Sequence, residues 1–250
     1  MTQMFNVLLI GDNCTDEYRY GTVDRISPEA PVPVFKFSHM ETKPGMAGNV
    51  MQNLESFKIN VTFITSTETN TKTRLIDIRS KQHILRIDDD VSAIPLITDY
   101  YENIGQFDAI VFSDYNKGFI NYEVVQWTRN NYSGPIFIDT KKRDLAKFEG
   151  CFVKVNEHEY SQRTSECNNL IVTLGANGAN YQGQNYSSPK IEVVDVCGAG
   201  DTFLSALVSE YLNTTDITRA IQFANRASAI TVQHSGVYAL TSEDIETIKI

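Results

Sequence analysis

The sequence has few of the features that bind nucleic acid, form disulfide frameworks or cross membranes. Its 22 Lys and Arg residues are outnumbered by 31 Asp and Glu residues, and a formal net charge of −9 argues against a nucleic-acid surface. The four cysteines contain no CxxC pair and the four histidines lack metal-ligand spacing, so neither a disulfide framework nor a zinc site is predicted. No stretch has the apolar length that spans a bilayer, and the N-terminus has no basic segment before an apolar core. We therefore expect a cytoplasmic protein that binds neither nucleic acid nor membrane.

Short apolar runs, typical of strands buried on both faces, recur along the chain. Candidate helices lie between many of them, for example at 121–130 and after Asn156. This alternation predicts an α/β fold with a mainly parallel sheet covered on both sides, in one domain over residues 1–250. The predicted strands are 5–10, 61–65, 109–112, 136–138, 152–155, 170–174 and 191–194.

Residues 21–37 interrupt this rhythm. They contain Pro28, Pro31 and Pro33, and because proline cannot donate to a β-ladder, the segment is predicted to be an edge strand or extended arm. Residues 84–88 alternate in polarity and could pair with it. We expect a small β lid formed by about residues 17–40 and 72–90.

A glycine-rich stretch separates a β-branched run from a helical pattern. After Asp201 the apolar residues recur with helical spacing, so the stretch predicts a strand, a turn and a helix. The amides of Ala199, Gly200 and Asp201 would lie in the first helical turn, where they lack intrahelical acceptors and can bind a phosphate. An Asp201 N-cap after a tight turn explains the same residues. Local chemistry leaves both interpretations open.

Residues 195–207, DVCGAGDTFLSAL, resemble the C-terminal signature of the ribokinase (PfkB) carbohydrate kinases. The resemblance implies a ribokinase-like three-layer α/β/α fold with a small β lid, and ATP as co-substrate with Mg²⁺. It further implies that Asp201 is the general base and that Gly198, Ala199 and Gly200 stabilise the transferred phosphoryl group. Phosphoryl transfer mainly needs positioning and charge stabilisation, which suits this division of roles.

Further motifs resemble the family in the expected order. Residues 44–50 resemble its sugar-binding signature, residues 156–159 its NxxE motif and residues 173–178 its nucleotide-side loop. The NxxE match implies that Glu159 orients the water shell of Mg²⁺. Each match also has a structural explanation: a helix cap at Asn156, a hairpin turn at 177–178 and a helix surface at Asn225. The implied ligand-binding residues are Gly45 and Asn49 for the sugar, and Asn156, Thr173, Gly175, Gly178 and Asn225 for the nucleotide.

Residues 11–18 and 24–34 resemble the subfamily that phosphorylates D-glycero-D-manno-heptose 7-phosphate at C1 for ADP-heptose synthesis. This implies that Asp12 and Asp16 accept hydrogen bonds from sugar hydroxyls. Lys117 and Lys141 would contact phosphate, although loop lysines are more often solvated. In this subfamily the lid often pairs between two subunits, which implies a homodimer. The nucleotidyltransferase domain sometimes fused to such kinases is not recognised, so a separate partner enzyme is expected downstream.

The chain departs from the family pattern on its sugar side. Only seven residues lie between Ile64 and Lys72, where the family usually carries another helix and strand. Met46 and Lys58 occupy positions where glycine is expected, and Cys197 replaces a threonine. Because the catalytic motif is intact, a working kinase with a shifted substrate preference is predicted. The alternatives are a kinase for another sugar or a nucleoside, and a noncatalytic nucleotide- or sugar-binding module.

Overall fold

A computed structural model describes residues 4–248, which form two β-sheets and six α-helices. The strands are Asn6–Gly11 (β1), Asn13–Ile26 (β2), Pro33–Met46 (β3), Asn60–Ile64 (β4), Asn70–Asp77 (β5), His83–Asp89 (β6), Ala109–Asp114 (β7), Ile136–Thr140 (β8), Phe152–Asn156 (β9), Leu170–Thr173 (β10), Ala179–Tyr181 (β11) and Gln184–Tyr186 (β12). The helices are Ala47–Ser56 (α1), Tyr122–Asn131 (α2), Glu157–Ser161 (α3), Ala199–Thr214 (α4), Ile217–Thr231 (α5) and Ser242–Ile248 (α6). Short 3₁₀ turns cover Ile104–Gln106, Leu145–Phe148 and Gly175–Asn177.

The larger sheet has eight strands in the order β12-β11-β10-β9-β8-β7-β1-β4. Its six strands from β10 to β4 are parallel, and β11 and β12 extend it as an antiparallel hairpin. The carboxyl ends of the parallel strands therefore lie along one edge, where ligands bind in open α/β sheets.

Both faces of this sheet are covered. Val7 and Leu9 of β1 pack into a core shared with α1, α4, α5 and α6. Leu8 and Ile10 of the same strand pack into a second core with α2. Because consecutive side chains of a strand point to opposite faces, a strand buried on both sides reads as a continuous apolar run. The predicted α/β class with a mainly parallel sheet is confirmed.

One predicted strand is wrong. Residues 191–194 form no strand, and the amides of Val194 and Asp195 instead donate to the carbonyl oxygen of Val232, at 2.8 and 3.1 Å. Val194 is 64% exposed, so the β-branched run packs into neither core. The segment runs past the end of α5 outside the sheet, and tertiary position overrides the strand propensity of its valines.

The smaller sheet has the strand order β3-β2-β5-β6, and we call it the lid. The strand β2 begins two residues after β1 ends, and β3 continues directly into α1, so the lid extends from the ligand-binding edge of the larger sheet. Pro28 and Pro31 lie in the connection between β2 and β3, and β3 is an edge strand. The predicted pairing of residues 84–88 with this segment is wrong, because β6 pairs with β5 at the opposite edge.

The strand β4 is an edge strand of the larger sheet. Residues 65–69 then lead directly to β5 of the lid, at the point where the sequence lacks the helix and strand usual in the family. The shortened connection leaves the central parallel strands intact. Within residues 4–248, no helix combines the length and hydropathy that a transmembrane segment requires.

Candidate active site

The candidate base Asp201 lies in the first turn of α4, at the carboxyl edge of the parallel strands, and is only 5% exposed. Tyr115, one residue after β7, donates its hydroxyl to Asp201 Oδ1 at 2.8 Å. Asn49 in α1 donates its amide to Asp201 Oδ2 at 2.8 Å. Each carboxylate oxygen therefore has one donor and keeps a lone pair for a substrate hydroxyl.

The environment of Asp201 raises its pKa above that of an ordinary aspartate. Burial, together with the negative charge of Asp139, raises its pKa to about 6, although the hydrogen bonds from Asn49 and Tyr115 act in the opposite direction. A carboxylate whose pKa lies close to neutral pH is suited to accept a proton from a hydroxyl. The pKa of Asp201 is therefore compatible with its predicted role as general base.

Glycine is required at the N-cap of α4, and a second glycine lies close to a lysine. Gly198 has φ +78°, and a Cβ there would lie 2.8 Å from Asn49 Nδ2. A Cβ on Gly200 would lie 2.9 Å from Lys154 Nζ. Ala199 lies between them, and its amide donates to the carbonyl oxygen of Val196 at 3.3 Å. The amides of Gly200 and Asp201 lie in the first turn of α4, where they lack intrahelical acceptors and can bind an anion.

The predicted sugar-binding residues lie between β1 and the lid. Asp12 Oδ2 accepts from the amides of Tyr115 and Lys117, whereas its Oδ1 is buried without a partner. Asp16 on β2 forms a buried ion pair with Arg74 on β5. Asp12 is 2% and Asp16 is 3% exposed, so their contact with sugar hydroxyls stays a prediction. The unpartnered Oδ1 of Asp12 is the acceptor that lacks a protein donor.

Two predicted sugar-binding residues are covered by protein. A Cβ on Gly45 would lie 2.2 Å from Asp16 Oδ2, so glycine here lets β3 approach β2. Asn49 is 0% exposed, and its amide is committed to Asp201. In this structure Asn49 contacts the candidate base rather than an open surface, and its contact with sugar stays a prediction.

The two predicted phosphate-binding lysines have different surroundings. The ammonium group of Lys117 forms an ion pair with Asp90. The ammonium group of Lys141 lies 4.3 Å from the centre of the Tyr115 ring, and that of Lys72 lies 5.5 Å from the same centre. Neither Lys72 nor Lys141 forms an ion pair with any residue from 4 to 248. Lys72, which the sequence analysis missed, therefore joins Lys141 as an unpaired cation near Asp201.

A cavity of about 300 Å³ beside the N-terminus of α4 brings together four of the five predicted nucleotide-binding residues, and Asn156 does not line it. Asn225 of α5 is 3% exposed and donates to the carbonyl oxygen of Tyr186 at 2.8 Å, so the helix-surface interpretation of Asn225 is wrong. Gly178 has φ +90°, and a Cβ there would lie 2.0 Å from the Tyr186 carbonyl oxygen. The predicted residues that line the cavity are Thr173, Gly175, Gly178, Ala199, Gly200 and Asn225.

Asn156 and Glu159 form a capping box at the start of α3. Asn156 Oδ1 accepts from the Glu159 amide at 2.8 Å, and Glu159 Oε2 accepts from the Asn156 amide at 2.7 Å. The helix-cap interpretation of Asn156 is confirmed, and it does not exclude a ligand contact. Burial raises the pKa of Glu159, and the nearby charge of Asp139 raises it further.

The Glu159 carboxylate suits a Mg²⁺ ion that is held mainly by water and phosphate. Residues 4–248 contain no cluster of three or more His, Cys, Asp or Glu side chains able to hold a metal ion on its own. Mg²⁺ usually keeps several waters and binds through one or two carboxylates plus substrate phosphates, so Glu159 fits the predicted indirect contact.

The sequence pattern described as "pfkB family carbohydrate kinase" matches residues 47–244 of this chain. The chain belongs to the pfkB family of carbohydrate kinases. As a pfkB protein it is a sugar kinase, and the glycine-rich turn, Asp201 and the cavity all lie within the matched residues.

Solved structures of pfkB-type kinases share the fold. Ribokinase of Thermotoga maritima superposes with a TM-score of 0.74 at 16% identity and covers 98% of this chain, with 99% of its own chain covered. Ribokinase of Arabidopsis thaliana, solved with ribose and ATP, gives a TM-score of 0.71 at 15% identity, with the same coverage of 98% and 99%. These comparisons establish the ribokinase-like fold of this pfkB kinase.

Curated relatives of this pfkB kinase include bifunctional proteins HldE. That of Nitratiruptor sp. is 30% identical over 298 aligned residues, which include 96% of this chain and 64% of the relative. That of Helicobacter pylori strain J99 is 29% identical over 98% of this chain and 66% of the relative. The chain thus spans about two thirds of the length of these relatives. The first alignment is longer than the 250-residue chain, so the relative carries segments that this chain lacks.

Three side chains at or near this site were not predicted from the sequence: Lys72, Tyr115 and Lys154. Lys154 is 5% exposed and forms an ion pair with Asp139 at 2.6 Å. The direction of the Tyr115 hydroxyl depends on packing between elements that are distant along the chain. A lysine inside an otherwise apolar strand is a signal that could have identified Lys154, because a buried ammonium group requires a partner.

Proposed function

We propose that this sugar kinase transfers the γ-phosphoryl group of ATP to the C1 hydroxyl of D-glycero-D-manno-heptose 7-phosphate, with Mg²⁺. The observation that carries the proposal is the position of Asp201. Its carboxylate lies at the bare N-terminus of α4, between the cavity that would take the nucleotide and the lid that would cover the sugar. The length and identity of the HldE matches support the choice of the sugar.

In the proposed reaction the Asp201 carboxylate accepts the proton of the attacking sugar hydroxyl. The hydroxyl oxygen forms a bond to the γ-phosphorus, and the bond between that phosphorus and the leaving oxygen of ADP breaks. Asn49 and Tyr115 hold the carboxylate in place, and the amides of the α4 N-terminus stabilise charge on the transferred group. Glu159 would hold Mg²⁺ through water, and a bound Mg²⁺ supplies further positive charge to the phosphates.

The unpaired lysines support a substrate that already carries a phosphate. Lys72 comes from the lid and Lys141 follows β8, and both ammonium groups approach the ring whose hydroxyl donates to Asp201. Burial lowers the pKa of Lys141, and the like charge of Lys72 acts in the same direction. Two cations held near each other are stabilised by a bound dianion.

The lid is proposed to pair two subunits, and a separate nucleotidyltransferase is proposed to use the product. The edge strands of the lid carry half-exposed apolar side chains, including Met40 on β3 and Leu85 on β6. Exposed strand edges favour pairing with another chain.

ADP release with Mg-ATP against heptose 7-phosphate, fructose 6-phosphate and ribose tests the substrate. We expect turnover on heptose 7-phosphate, and its loss in the Asp201→Asn variant, which keeps the size of the side chain. We also expect Lys72→Met to raise the KM for the sugar phosphate about tenfold, whereas Lys117→Met, which removes a cation already paired with Asp90, has a smaller effect.

Turnover on another sugar alone would overturn the heptose assignment and leave the kinase chemistry in place. ATP binding without turnover on any sugar would favour the noncatalytic alternative for this chain. An equal loss in the Lys72→Met and Lys117→Met variants would contradict the proposed phosphate site.

A further inference from the structure

Lys154 is a buried cation on the α4 side of the sheet. Its neighbours Val153 and Val155 pack into the core on the opposite face, so by the alternation of a strand the Lys154 side chain points towards α4. In the parallel register of β8 and β9 it lies directly beside Asp139. Its ammonium group lies 2.6 Å from Asp139 Oδ2. Only 5% of the residue is exposed.

The same ammonium group approaches the glycine-rich turn. A Cβ on Gly200 would lie 2.9 Å from Lys154 Nζ, so the cation occupies the space beside the α4 N-terminus. That helix end is itself positive, so the ammonium group and the helix N-terminus are two positive groups at one point next to Asp201. Asp139 forms an ion pair with the ammonium group from the other strand, β8.

The Lys154 ammonium group has more N–H donors than it has acceptors in the protein. An ammonium group has three N–H donors, and Asp139 is the one hydrogen-bond acceptor of Lys154 Nζ within residues 4–248. Burial lowers its pKa, but the charges of Asp139, Glu159 and Asp201 outweigh that effect and raise it. The group is therefore a protonated donor at neutral pH.

We propose that Lys154 is a catalytic residue whose ammonium group donates a hydrogen bond to the phosphoryl group in transfer, alongside the amide of Gly200. This inference rests on the proposed kinase reaction. While the sugar oxygen bonds to phosphorus and the ADP oxygen leaves, Asp201 takes the hydroxyl proton and Lys154 keeps its own proton. Its role is to stabilise charge that is spread over the phosphoryl oxygens in the transition state.

The test compares ground-state and transition-state binding in the full chain. Calorimetry measures MgADP affinity with and without aluminium fluoride, which mimics the phosphoryl group in transfer, and steady-state kinetics gives kcat and KM. In Lys154→Met we expect the affinity for MgADP alone to stay within about threefold of the wild-type value. Aluminium fluoride should no longer increase that affinity. We expect kcat to fall about 100-fold or more, the usual cost of removing one such donor, with smaller changes in either KM.

Lys142→Met is the matched control. Lys142 is also a poorly exposed lysine paired with an aspartate at the sheet edge, 3.2 Å from Asp114, but its ammonium group contacts Asn116 instead of the α4 turn. In the Lys142→Met variant, aluminium fluoride should still increase the affinity for MgADP. Because Lys154→Met leaves Asp139 without its partner, the double variant Asp139→Asn with Lys154→Met is measured as well, and thermal melting verifies folding.

The outcomes separate a structural ion pair from a phosphoryl contact. If Lys154 only neutralises Asp139, the double variant regains kcat and the increase in MgADP affinity with aluminium fluoride, which would overturn the proposal. If the double variant stays impaired while Asp139→Asn alone retains that increase, the proposal holds. The same increase in wild-type protein without turnover on any sugar would overturn the proposed function, and the variants would still decide the role of Lys154. Wild-type protein with neither property would overturn both.

Discussion

At the scale of single residues, opposing effects determine the pKa of the candidate base Asp201. Burial and the charge of Asp139 favour its protonated form, whereas Asn49 and Tyr115 donate hydrogen bonds that favour the carboxylate. The resulting pKa of Asp201, about 6, leaves the group deprotonated at neutral pH yet basic enough to accept a proton. The two donors are therefore as much part of the proposed chemistry as the carboxylate itself.

This balance predicts the pH dependence of turnover. Because Asp201 must be deprotonated to act as a base, kcat/KM should fall tenfold per pH unit below about pH 6. Tyr115→Phe removes a donor that lowers the pKa of Asp201, so the inflection should move to higher pH. Tyr132→Phe is the control, because the Tyr132 hydroxyl donates to the carbonyl oxygen of Phe107, away from the site. An unchanged inflection in Tyr115→Phe would show that another group sets the profile.

The same pKa predicts a cost in stability. Between pH 4 and pH 6 folded Asp201 still binds a proton that the unfolded chain has released, so this group lowers stability as pH rises through that window. Asp201→Asn should therefore raise the free energy of unfolding at pH 7.5, by up to about 3 kcal/mol. The gain should shrink towards pH 4. Denaturant unfolding at both pH values checks it, and a gain independent of pH would contradict the explanation.

The sequence predicted the glycine-rich turn and the helix after it better than the contacts of Asp201. The turn and helix could be predicted because a helix N-terminus is a local feature of consecutive residues, whereas the role of Asp201 as a base rests on the family resemblance and stays a prediction. The partners of Asp201 could not, because Asn49 and Tyr115 are 152 and 86 residues away from it along the chain. Their directions depend on how α1 and the end of β7 pack against α4.

At the scale of elements, the turn after α1 shows a glycine position occupied by lysine. Ile59 donates to the Leu54 carbonyl oxygen and Lys58 to that of Glu55, the two bonds of a Schellman C-cap. Lys58 has φ +61° and is exposed. A side chain in this left-handed conformation costs about 1–2 kcal/mol, whereas glycine adopts it freely.

Lys58→Gly should therefore stabilise the protein by about 1 kcal/mol, which raises Tm by roughly 2–4 °C for a chain of this size. Lys58→Ala is the control, since it removes the charge and keeps the unfavourable backbone angle. Thermal melting measures both. An equal gain in the two variants would assign the effect to charge rather than to backbone conformation.

Met46 behaves differently although it also replaces a family glycine. Its φ is +52°, but its side chain is 4% exposed. Burial of a methionine contributes about 2 kcal/mol, which offsets the backbone cost, so Met46→Gly should bring no comparable gain.

Apolar runs correctly predicted the central strands, because those strands are buried on both faces of the larger sheet. The same pattern gave a wrong prediction at 191–194, because that segment lies outside the sheet and Val194 is exposed.

At the scale of the whole molecule, residues 4–248 form two sheets, of which the larger is covered on both faces. Arg19 pairs in register with Met40 on one side and with Leu75 on the other, and Leu75 pairs with Leu85. This row lies on the face of the lid opposite to Asp16 and Tyr18, which are buried towards the site. The lid therefore presents a row of Met40, Leu75 and Leu85, with Arg19 between Met40 and Leu75, away from the candidate active site.

The exposure of this row predicts a dimer. Met40 is 47% exposed and Leu85 is 52% exposed, and both lie on edge strands, where unpaired backbone groups favour pairing with a second chain. We expect a dimeric mass by light scattering and a monomer for Met40→Asp with Leu85→Asp. Ile97→Asp is the control, because Ile97 is 76% exposed outside the lid. A monomeric wild type would leave the lid to act within one subunit. A dimer that survives the double substitution would move the interface to another surface.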